Sequence, residues 1–151
     1  MTTIDVDIFR PGTEANNAKL DQCFAIRYKV FVEEQNVPSD LEMDGLDEET
    51  FQALLLADNQ PVATARFHIL TDESQVKVER VAVLKAWRRK GLADKIMDAI
   101  EDYARSEHNI QEVKLNAQIT AVPFYKKRGY EIVSDSFLDA DIVHYTMTRQ
   151  L

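Results

Sequence analysis

The chain has one cysteine, Cys23, in 151 residues. No internal disulfide can form, and a reducing, cytoplasmic setting is the expectation. Glycine and proline are scarce, with four of each. That excludes a Pro/Gly-rich linker or a low-complexity tract, and the chain reads as a single domain over residues 1–151. No apolar run approaches the ~20 residues of a membrane-spanning helix, and a start carrying Asp5 and Asp7 lacks the apolar stretch of a secretory leader. Cations are outnumbered, 18 Lys/Arg against 26 Asp/Glu, for a net charge of −8. Nucleic acid and anionic membranes are therefore not expected partners. His68, His108 and His144 share no metal-ligand spacing with one another or with Cys23, so no metal site is expected.

What is present is an ordinary globular mixture, 45% hydrophobic and 29% charged. The acidity is uneven. Residues 1–84 hold 16 acids and 7 cations, whereas residues 85–151 hold 10 and 11. Ile4, Val6 and Ile8 alternate with Asp5 and Asp7 as in a half-buried strand. Pro11–Gly12 ends it, and Thr13 caps a helix reaching about Glu34, with Leu20, Phe24, Tyr28 and Phe31 on the expected buried side. An irregular, acid-rich piece follows over Gln35–Glu49. Strands Phe51–Ala57 and Val62–Leu70 flank the turn Asp58–Pro61 as a hairpin. Beyond a third strand and a helix come strand Val113–Ala117, a short helix capped by Thr120 with Pro123 in its first turn, and closing antiparallel strands Tyr130–Ser134 and Val143–Met147. The order β-α-β-β-β-α-β-α-β-β fits an α/β (α+β) domain with a mixed sheet. The closing strands offer an edge through which two copies could pair as a homodimer.

The most informative stretch is Val78–Ala93. It reads as a strand, a cation-rich turn and a helix start. Leu92, Ile96, Ile100, Tyr103 and Ala104 share one helical face. Lys85, Arg88, Arg89 and Lys90 precede Gly91. Free backbone N–H groups at a helix N-terminus, with added cations, suit a phosphate or pyrophosphate; solvated surface charge is the plainer alternative. Within the strand the apolar phase changes between Val76/Val78 and Val81/Val83. Either both faces are buried or a β-bulge lies near Glu79–Arg80.

Arg88–Arg89–Lys90–Gly91–Leu92–Ala93 resembles the Q/R-x-x-G-x-G/A acetyl-CoA signature of GCN5-related N-acetyltransferases (GNAT). Asn116–Ala117, then Ala121–Val122–Pro123–Phe124–Tyr125 and Gly129–Tyr130, resemble the second landmark of that family. The front end, Arg27 to Gln35 with Pro38, Asp44 and Asp47, and the tail Val143–Met147 are similar to the YjcF/ElaA-like bacterial branch.

The resemblance implies a GNAT fold and transfer of an acetyl group from acetyl-CoA, as co-substrate, to the amine of a small molecule. It implies pyrophosphate on the amides of Arg89, Lys90, Gly91, Leu92 and Ala93, with Arg88 beside them. It places pantetheine along Val81, Ala82 and Val83, with Asn116 also binding the cofactor and Tyr125 within reach of its sulfur. Tyr125 is the implied acid for the leaving thiolate; a packed aromatic is the alternative. Glu79 is the candidate base, on the expectation that burial raises its pKa, with a cross-sheet salt bridge as the alternative. Glu33, Glu34 and Asp44, together with Arg27 and His144, are the candidate acceptor-binding residues. The eight acids and no cation of Glu33–Glu49 suggest a field favouring an amine. Arg27, Phe31, Glu42, Asp44, Asp47 and Arg66 also resemble, in order, the front end of acyl-homoserine-lactone synthases, which use S-adenosylmethionine. A non-catalytic acyl-CoA-binding sensor is the other alternative.

Overall fold

A computed structural model describes residues 1–151. Its frame is one eight-stranded sheet. Strands β1 (Ile4–Phe9), β2 (Phe51–Ala57), β3 (Gln60–Leu70) and β4 (Gln75–Val83) form an antiparallel meander. β5 (Glu112–Gln118) joins β4 in parallel, and β8 (Ile142–Gln150) adds antiparallel to β5. β6 (Glu131–Ile132) and β7 (Phe137–Asp139) both pair with β8. The sheet is therefore mixed and mostly antiparallel, as expected.

Helices cover both faces. α3 (Leu92–His108) buries Leu92, Ile96, Met97, Ile100 and Ala104 on the larger core, with Val76, Val78, Leu115 and Met147 beneath. The helical face read from the sequence is the observed one. α1 (Glu14–Arg27) covers the opposite face through Leu20, Cys23 and Ile26, with Val30 beyond its end. Thr13 accepts from the Asn16 amide at its start, as a capping residue should. The expected stripe of Leu20, Phe24, Tyr28 and Phe31 is only partly right, because Tyr28 is exposed. From Tyr28 to Glu34 the chain winds as a π-helix, and the wider turn shifts which residues face inward. Cys23 is fully buried in this core, and burial pushes its thiol up to about 11. No helix is long and apolar enough to cross a membrane.

Two smaller expectations need correction. α4 (Val122–Lys127) starts from Ala121 without a side-chain cap, so Thr120 does not serve; Pro123 does sit in its first turn. The acid-rich piece is more ordered than its composition suggests, with α2 (Ser39–Glu42) and a 3-10 turn at Asp47–Glu49.

Candidate active site

The site begins at an irregularity in β4. Thr64 pairs with Ala82, but Arg66 pairs with Glu79, so Arg80 and Val81 together oppose one residue of β3. Arg80 has φ +57°, the left-handed value that lets the extra residue fit. This is the bulge that the phase change in the sequence suggested. On its other side β4 pairs with β5 only as far as Val78 with Leu115. Beyond that point residues 79–83 and 116–118 diverge and leave a cleft through the sheet.

That cleft holds a cavity of about 200 Å³, lined by Glu79, Arg80, Val81, Asn116, Tyr125 and His144 among others. Tyr125 is 6% exposed, and its ring meets Phe124 and Tyr130 edge-on. Its hydroxyl has no protein hydrogen-bond partner, yet it is not sealed in the interior. Burial pushes the phenol well above its usual range, and Glu101 adds to this against the opposing charge of Arg128. Asn116 accepts from the Thr146 hydroxyl at 2.8 Å, which fixes its amide at the rim.

The loop before α3 lies beyond the end of β4. Arg89 has φ +61° and Gly91 φ +76°. The space above Gly91 is open, with no heavy atom within 4 Å of a built Cβ. The amides from Arg89 to Asp94 have no backbone or side-chain acceptor, and the first amide to close the helix is that of Lys95, onto Gly91. An array of free N–H groups at the positive end of a 17-residue helix is suited to an anion. Leu92 contributes backbone only, since its side chain is in the core. The same holds for Ala82, buried against α1. Arg88 grips Glu34 through both terminal nitrogens and the Val83 carbonyl through Nε.

The expected acceptor-binding set needs correction. Arg27 is fully buried and spends its donors on Glu42 and Asp47. Burial works against its charge, but those two carboxylates more than restore it. Asp44 is held by Arg66 at 2.5 and 2.8 Å and by Arg80 at 3.3 Å. The Arg66 hydrogen bond keeps its carboxyl well below the usual range. Glu34 is committed to Arg88, and neither it nor the exposed Glu33 lines the cavity. Three arginines, Arg27, Arg66 and Arg80, thus pair with three of the segment's eight carboxylates, Glu42, Asp44 and Asp47, and the sequence showed only its excess of acids. Of the five residues expected to bind the acceptor, the cavity receives His144 alone.

Glu79 also departs from expectation. Burial alone would raise its pKa. The His68 hydrogen bond at 2.6 Å and the charges of Arg66 and Lys77 override it, bringing it down to about 2. It reaches the cavity, but as a poor proton acceptor.

Residues missed from the sequence include Gln118 and Gln35, whose side chains meet at 2.7 Å beside the cavity, and Asp139 on β7. The β7–β8 hairpin turns on Ala140 and Asp141, both with positive φ. Those residues lack the Asn-Gly pattern that betrays such turns. Asp58 and Asn59 make the equivalent turn between β2 and β3 and were legible.

The splayed strands, the bulge and the amide-lined loop together agree with a family match. Residues 14–151 match the model of the acetyltransferase (GNAT) domain. The chain belongs to the GNAT family. It is an acyltransferase. It is 39% identical over 135 residues to the uncharacterized N-acetyltransferase YjcF of Bacillus subtilis, covering 89% of this chain and 94% of that one. An acyl-CoA N-acyltransferase from Pseudomonas aeruginosa superposes with TM-score 0.84 at 29% identity, covering 97% of this chain and 99% of that one. ElaA from Escherichia coli shares the fold, with TM-score 0.83 at 24% identity over 97% and 99% of the two chains.

Proposed function

We propose that the protein transfers an acetyl group from acetyl-CoA to the amine of a small molecule. The observation that carries this is the continuity of three features: free amides at Arg89–Ala93, the diverging strand edge at Val81–Val83, and the cavity holding the Tyr125 hydroxyl. The pyrophosphate lies on the amides, Gly91 giving it clearance. The pantetheine arm follows the open edge of β4, whose backbone groups on that side have no strand partner. The thioester then reaches the cavity beside the bulge, where backbone N–H groups of β4 stabilise the oxyanion.

The amine nitrogen attacks the thioester carbon, the C–N bond forms, and the C–S bond breaks. Tyr125 supplies the proton that the leaving thiolate takes. Burial makes the phenol a weaker acid, but the thiolate forms in the same partly enclosed cavity and becomes a stronger base for the same reason. A small acceptor is favoured by the cavity's size, about 200 Å³. The lactone-synthase pattern at Arg27, Asp44, Asp47 and Arg66 is accounted for by ion pairing between the acidic segment and the sheet, so it lends that chemistry no separate support.

The test is thiol release from acetyl-CoA across a panel of small amines, with product mass confirming the acetylated amine. Turnover with any amine supports the reading. Tight acetyl-CoA binding without turnover supports a sensor instead.

A further inference from the structure

Glu79, beside Arg66 and Lys77 and hydrogen-bonded to His68, is a poor proton acceptor, so the transfer reaction needs another, and His144 has the right chemistry for it. Nδ1 of His144 lies 2.7 Å from the carbonyl oxygen of Ile142. A carbonyl can only accept, so Nδ1 carries the proton, and in the neutral ring Nε2 bears the lone pair. Nε2 has no protein partner and is not sealed off, whereas the residue as a whole is 7% exposed and lines the cavity. Phe137, the cross-strand partner of His144, stacks on the ring at 5.8 Å and 23°, which fixes its plane. Tautomer, orientation and access are therefore all set by β7 and β8.

We infer that His144 is the general base, its Nε2 taking the proton from the attacking amine opposite the Tyr125 hydroxyl. This rests on the acetyltransferase reading above. Attack by the neutral amine gives a tetrahedral intermediate with a positive nitrogen. Nε2 removes that proton, the C–S bond breaks, and the thiolate takes the Tyr125 proton. Both side chains reset by exchange with water at the open cavity.

The experiment compares wild type, His144→Gln and His144→Ala in the thiol-release assay, with acetyl-CoA affinity and Tm measured alongside. The expected result is a kcat loss of about 10²- to 10⁴-fold in both variants, with acetyl-CoA Kd within about twofold. Added imidazole should restore part of the rate in His144→Ala, which a purely structural role would not allow. Wild-type turnover with a His144→Gln kcat within about threefold of it overturns the base while leaving the acetyltransferase reading intact. A silent wild type across the amine panel overturns both.

Discussion

Tyr125 and Glu79 both line the cavity and differ in what they can do there. Tyr125 keeps an unpartnered hydroxyl at the cavity. Tyr125→Phe removes only that oxygen from a well-packed ring. It should lower kcat by about 10²-fold or more with acetyl-CoA Kd changed less than about threefold, as read by steady-state kinetics and calorimetry; an unchanged kcat takes Tyr125 out of the acid role. Glu79 was expected to be a buried carboxylate with a raised pKa. Burial was legible from its strand, and so was a salt bridge with Lys77, which lies 3.6 Å away; the Arg66 and His68 contacts were not. Arg66 and His68 lie on β3, and register alone brings them opposite Glu79 and Lys77. A residue's type and strand are legible in sequence, whereas the sign of its pKa shift depends on neighbours that only the sheet assembles.

At the scale of elements, the meander, α3 and the amide-lined loop were all legible because each has a local cause. Alternation marks the strands, a 3.6-residue period marks α3, and Gly91 marks the turn. The acidic segment was not, because its partners are distant. Arg27 comes from α1, Arg66 from β3 and Arg80 from the bulge of β4, and each pairs with carboxylates of residues 42–47. The segment thus fastens α1 to the sheet and braces Arg80 in its left-handed conformation. Arg27→Ala leaves Glu42 and Asp47 short of their buried cation and should cost about 3–5 kcal/mol. Urea unfolding measures it, and a loss below about 1 kcal/mol would show that the network contributes little.

At the scale of the whole molecule, the carboxylates that the arginines neutralise make stability depend on acid. Glu79, Asp44 and Asp47 all have pKa values lowered in the folded protein. A lowered carboxylate pKa stabilises the fold above the unfolded value and loses that contribution as pH falls through the folded one. For Glu79 the window runs from 4.5 down to about 2. Thermal unfolding should therefore be flat in this term above about pH 6 and fall steeply below about pH 5; a Tm unchanged at pH 3 contradicts the network as drawn. On the proposed reading, the loop between β4 and α3 carries coenzyme A with its thioester in the cleft. The direct measurement is calorimetric titration of acetyl-CoA into wild type and Gly91→Val. Gly91 has φ +76°, which a β-branched residue adopts only with strain, and the added side chain would stand where the phosphate approaches. The expected result is one site per chain in the wild type and affinity reduced about tenfold or more in Gly91→Val, equal to at least ~1.4 kcal/mol, with the variant still folded. No wild-type binding, or equal affinity in the two proteins, would contradict it.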